Sequence, residues 1–143
     1  MKRFLPALAL LLASVQLTIS AQESEWLHIT STDEDGIIDF YINKEMPTLT
    51  GNGYRMWALA DIVHKPKSRS NLEGLSWKDY YEVDCKENKL KVLSSITYSK
   101  PMGKGEVLHI QSKPSDWMFI APNTILEELT KRPCRILLPT TNN

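Results

Sequence analysis

The chain's chemistry-bearing residues are two cysteines, three histidines, scattered serines and a Gly103-Lys104-Gly105 triplet. The triplet looks like the end of a phosphate-cradling loop, which needs G-x-x-x-x-G-K-[ST] between a strand and a helix. In that pattern the first glycine would stand at Tyr98, and the hydroxyl residue after the lysine would stand at Gly105. A strand-like segment follows where a helix is required. All of these requirements fail, so the triplet predicts a hairpin corner in which glycine supplies positive φ. His28, His64 and His109 fall on two strand-like segments and a loop, with no H-E-x-x-H and no i,i+2 pair. Zinc needs three or four converging ligands, so half-exposed strand histidines are the expectation. None of the serines lies in G-x-S-x-G, and a nucleophile needs a base and an orienting group beside it. Asp39, Glu82 and Asp84 alternate outward on strands as solvating carboxylates do. The sequence therefore predicts a non-enzyme with no catalytic residue, no metal site and no cofactor.

Cys85 and Cys134 are the two cysteines. In an exported chain an even pair forms a disulfide framework, whereas metal and redox pairs favour close spacings such as C-x-x-C. The expected disulfide closes a loop of about fifty residues, which constrains the unfolded chain by roughly 4 kcal/mol.

A binding role directs attention to charge and aromatics. Lys65, Lys67 and Arg69 form a basic loop tip beside His64, suited to an acidic partner, a sulfated glycan or a lipid headgroup; the alternative is a solvated loop of mixed charge. Trp57 and Trp117 are expected to fill the core, and Trp77, placed in the same loop, is the tryptophan expected to be exposed for partner binding. The full chain carries 17 basic and 17 acidic residues. Without Lys2 and Arg3 the remainder is slightly acidic, which argues against nucleic acid as a partner.

The elements that must position these residues begin after residue 21. Met1-Lys2-Arg3 and the apolar run Phe4 to Val15, followed by small residues at Ser20 and Ala21, predict a signal peptide over 1–21. The run is shorter than the roughly 20 apolar residues that cross a bilayer, so no membrane anchor is expected after cleavage. No cysteine stands at the junction for lipid attachment. Residues 22–143 then form a single domain. Trp26 to Thr30, Ile37 to Asn43, Tyr54 to Val63, Tyr80 to Lys86, Lys89 to Ser99 and Glu106 to Ser112 read as strands. Tyr54 to Val63 is apolar on both faces, as a central strand would be; helix is its rival reading. Leu90, Val92, Ile96 and Tyr98 are expected on one face of their strand, and His64 to Trp77 as a long loop. Thr124-x-x-Glu127 has the form of a capping box, and the helix it opens is expected to stop at Pro133. The fold class is α+β: an antiparallel sheet of about six strands, packed by one C-terminal helix and tied by a disulfide.

Several segments together resemble the surface-adhesin protein E family of bacterial exported proteins. They are Trp26, "FYIN" (Phe40 to Asn43), "MWALAD" (Met56 to Asp61), "YYEVDCK" (Tyr80 to Lys86), "LSSITYS" (Leu93 to Ser99), "MGKGEVL" (Met102 to Leu108), "WMFIAPNT" (Trp117 to Thr124) and Cys134. The resemblance implies the same sheet and helix with a Cys85–Cys134 disulfide. It also implies binding to host matrix and plasma proteins such as vitronectin, laminin and plasminogen, self-association into dimers, and no catalytic residues. Localisation is expected to be periplasmic, secreted or at the cell surface, without lipid. A periplasmic ligand-binding or envelope-assembly role is the alternative, with a hydrolase third.

Overall fold

Alternating apolar and polar side chains lay the middle of the chain out as strands, and short turns make them antiparallel neighbours. The computed structural model describes residues 25–32, 37–45, 47–63 and 72–137. Its strands are β1 (Trp26–Thr32), β2 (Ile38–Asn43), β3 (Thr48–Leu49), β4 (Gly53–Ile62), β5 (Ser76–Asp84), β6 (Lys89–Lys100), β7 (Lys104–Gln111) and β8 (Met118–Phe119), and its helix is α1 (Ile125–Leu137). The order across the sheet is β1-β2-β4-β5-β6-β7, with β3 beside β4 and β8 beside β6. All pairings are antiparallel.

Register decides which residues meet α1. Tyr54 and Met56 of β4 stand opposite Val83 and Tyr81 of β5. With Ile42, Leu90, Ile120 and Leu129 they form the core. Tyr54 is fully buried, and its hydroxyl donates to the Thr130 carbonyl of α1 at 3.0 Å. Gly53 starts β4 because a Cβ there would collide with the Val83 carbonyl. The central strand is covered on both faces over most of its length, as a run apolar on both faces predicts. The second cover comes from the sheet itself: Leu59, flanked in register by Tyr41 and Lys78, is 1% exposed on the face away from α1.

The disulfide joins Cys85 to Cys134, with Cα atoms 5.6 Å apart. It pins the last turns of α1 to the sheet, and this changes the expected helix end. The helix runs through Pro133 to Leu137. Proline lacks the N–H that the Leu129 carbonyl would accept, but Pro133 is buried and its neighbour is crosslinked, so tertiary anchoring outweighs the lost bond. At the other end Thr124 Oγ1 accepts from Glu127 N at 3.3 Å, and the Glu127 carboxylate reaches back to Asn123 N at 2.8 Å.

The structure corrects other expectations. β5 starts at Ser76, so Trp77 lies in a strand, half-buried, between Ala60 and Thr97. Trp117 is 41% exposed and lies outside the core; the Lys91 and Lys89 ammonium groups lie 4.6 and 5.3 Å from its ring centre. Trp57 is half-buried and stacked on Tyr80, ring centres 4.8 Å apart. In β6 the register slips between Ser94 and Val92. That extra residue, Leu93, reverses the alternation: Leu90 and Val92 face α1, whereas Ile96 and Tyr98 face the other way.

Candidate functional site

The Gly103-Lys104-Gly105 corner is the turn its sequence suggests. Pro101–Gly103 forms a single 3-10 turn between β6 and β7, with positive φ at Met102, Gly103 and Gly105. Its amides are already engaged. Met102 N donates to Asp61 Oδ1 at 3.2 Å, Gly103 N to Ser76 Oγ at 2.9 Å, and Glu106 N to Ser99 Oγ at 2.9 Å. Ser76 Oγ in turn donates to the Lys100 carbonyl at 2.6 Å. The corner is thus bolted onto β4 and β5 and offers no row of amides for phosphate.

One polar cluster escapes the sequence reading. The register slip between His28 and Thr30 sets His28 and Ser31 side by side, with His28 Nε2 3.0 Å from Ser31 Oγ. Ser31 donates to Asp39 Oδ1 at 2.6 Å, and Tyr41 donates to Asp39 Oδ2 at 3.3 Å. Burial, then the Asp39 carboxylate, raises the Tyr41 pKa. The residue types match a catalytic triad, but the arrangement does not. Asp39 Oδ1 lies 3.6 Å from the same Nε2 that faces Ser31, so the imidazole does not stand between hydroxyl and carboxylate. The serine proton is directed to Asp39, and the group reads as a surface hydrogen-bond network. His109 lies on β7, at the far edge of the sheet from His28 on β1, so the two do not converge. Among the described residues no group of His, Cys, Asp and Glu could hold a metal ion.

The sheet edge at β7 is the surface best built for a partner. β7 pairs with β6 on one side and ends the sheet on the other, and all eight of its residues are exposed. Val107, Leu108 and Ile110 are 51, 53 and 59% exposed. Past β7 the chain follows the same edge: Ser115 N donates to the Val92 carbonyl at 2.9 Å, and β8 pairs with Lys89 and Leu90. There Trp117, Met118 and Phe119 extend the exposed apolar surface, Phe119 being 82% exposed. Natural edges are usually blunted by lysine, proline or inward charges, yet His109 is the one polar residue between Val107 and Ile110. Lys65, Lys67 and Arg69 lie outside the described residues. Trp77 sits in β5, so it does not join this edge.

Comparison with known proteins agrees with the architecture. The model of the surface-adhesin protein E family matches residues 26–135, from the opening tryptophan of β1 to the turn of α1 that holds the crosslinked cysteine. Searches of curated proteins and of solved structures find no match. With a match over most of its length, the chain belongs to the surface-adhesin protein E family.

Proposed function

We propose that this protein is an exported, non-catalytic adhesin-like domain that binds proteins of the host matrix or plasma by adding a partner strand to β7. The observation that carries the reading is the outer edge of β7, which pairs with no strand but β6 among the described residues and exposes Val107, Leu108 and Ile110. In strand addition the main-chain hydrogen bonds give affinity, and side chains on alternate positions give specificity. A family of surface adhesins supports a host protein as the partner. Residues 1–21 act as a cleaved signal peptide in this reading, and the domain spans 22–143. The basic tip of Lys65, Lys67 and Arg69 is an auxiliary contact for acidic partners, and Trp77 is a half-buried residue of β5.

The same edge could pair with its own copy about a two-fold axis, which would make the homodimer the competing use of β7. Surface plasmon resonance on immobilised vitronectin and laminin, paired with sedimentation velocity, separates the two. The double variant Leu108→Lys, Ile110→Lys places like charges on the edge and leaves the core untouched. Binding reduced by about tenfold or more, which is about 1.4 kcal/mol, with an unchanged melting temperature, supports strand addition. Undiminished binding by a folded variant refutes it. Cell fractionation with N-terminal sequencing of the mature protein tests export, and material confined to the periplasm argues for the ligand-binding or assembly role instead.

A further inference from the structure

The face of the sheet away from α1 carries a recess that the edge does not use. On a flat sheet β1 and β5 would lie about 14 Å apart, three strand spacings. Here the two long side chains close that gap: the Lys78 ammonium of β5 lies 5.2 Å from the ring centre of Trp26 of β1 and 5.4 Å from that of Tyr98 of β6. Beside them lies a recess of about 240 Å³ walled by Trp26, Asn43, Trp57, Lys78, Ile96 and Tyr98 and lined also by Glu25. A second recess of about 210 Å³ shares Asn43 and Trp57 and continues past Tyr80 and Arg55.

We propose that this recess is a subsite for a sugar ring bearing a single carboxylate, a uronic-acid-type residue of an acidic glycan. Its walls set both the shape and the charge of the ligand. Trp57 is locked against Tyr80 with an interplanar angle of 24°, which gives a fixed aromatic surface for the C–H face of a pyranose. The Asn43 amide is held in place because its Oδ1 accepts from Glu45 N at 2.6 Å, which directs its NH2 group to donate elsewhere. Lys78 makes no ion pair with any described residue. Its ammonium lies by the two rings and against Gly103, where a Cβ would come within 2.8 Å of Nζ; the ring contacts orient it without using its N–H donors. Aromatic walls with a few fixed polar groups are the usual composition of a small-ligand site.

Charge selects within that class. An ammonium and an amide NH2 inside an apolar wall favour an anionic acceptor. A phosphate or sulfate would carry its larger charge density towards Glu25, and the Arg55 guanidinium, which lines the adjoining recess, is tied through its Nε to Glu82 at 2.6 Å. A sugar acid meets both ends of the recess: its carboxylate faces Lys78, and its hydroxyls donate to Glu25. The assignment is independent of the β7 edge.

Two-dimensional ¹H–¹⁵N NMR of the oxidised protein, titrated with glucuronate at millimolar concentrations, tests it, with glucose, benzoate and inorganic phosphate as comparison probes. Saturable shifts of the Trp26 and Trp57 indole N–H and the Asn43 side-chain NH2 are expected with glucuronate. Glucose should bind more weakly at the same signals. Lys78→Met keeps the aliphatic stem and should weaken glucuronate binding by about tenfold while leaving glucose binding unchanged. Absence of shifts with glucuronate overturns the proposal. So does equal response to benzoate or phosphate, which would mark an unspecific anion site, or a folded Lys78→Met protein that binds glucuronate like the parent.

Discussion

Buried polar groups set the residue-scale behaviour. Among the described residues no buried side-chain nitrogen or oxygen lacks a hydrogen-bond partner, so removing one partner leaves another stranded. Tyr54→Phe deletes the bond to the Thr130 carbonyl and should cost about 1 kcal/mol, read as a lower urea midpoint with an unchanged slope. Asp61 behaves differently. It is 5% exposed, and burial raises its pKa, opposed by the Met102 N–H and reinforced by Asp39. The folded state therefore holds its proton to higher pH than the unfolded chain does, and stability falls as pH climbs through that window. Asp61→Asn keeps an oxygen for Met102 and removes the charge. Its melting temperature should exceed the parent's at neutral pH, and the gap should close below about pH 3.9. Glu82 has the opposite sign. Burial alone would raise it, but Arg55 and Lys91 outweigh burial and lower its pKa. Its contribution is present at neutral pH and fades as pH falls through the depressed value; because Glu82 is near the surface, that contribution is small.

At the scale of elements, the helix start was legible and its end was not. Thr124 and Glu127 announce the cap in four residues, and Thr124→Ala should destabilise by about 1 kcal/mol in chemical denaturation. The continuation through Pro133 depends on a cysteine almost fifty residues earlier in the chain, which no local pattern reveals. Strands behave alike. Tyr81 and Val83 alternate as the period of two requires, but the phase of β6 changes at Leu93, and those of β1 and β7 slip at Ile29 and Leu108. An extra apolar residue inside an apolar segment leaves no mark in composition. Deleting Leu93 makes Val92 and Ser94 direct neighbours, which the period of two keeps on opposite faces as they are now. Ser94, Ile96 and Tyr98 should therefore stay on the face away from the helix, and a retained cooperative thermal transition by circular dichroism is the expected outcome.

Across the whole molecule, one covalent link and the strand register organise the surfaces. The Cys85–Cys134 bridge spans 49 residues, and removing it in the Cys85→Ser, Cys134→Ser double variant should cost up to about 4 kcal/mol, measured as the shift in the guanidinium midpoint. Because the bridge fastens α1 on one face, the loss should reach the β7 edge and the opposite recess only through global unfolding. Partner binding by the fraction that remains folded should be retained.

Local pattern by itself determined the antiparallel strands, the capped start of the C-terminal helix and the hairpin at Gly103, because each follows from neighbours within a few positions, and the count of two cysteines in an exported chain pointed to their disulfide. Only the tertiary structure decided that Trp77 is a half-buried strand residue, that Trp117 is exposed, that His28 meets Ser31 and Asp39, and that Trp26 and Tyr98 flank the same lysine. Those outcomes depend on register, which balances contacts between residues far apart in the chain. A single unpaired residue such as Leu93 is enough to send every side chain beyond it to the other face.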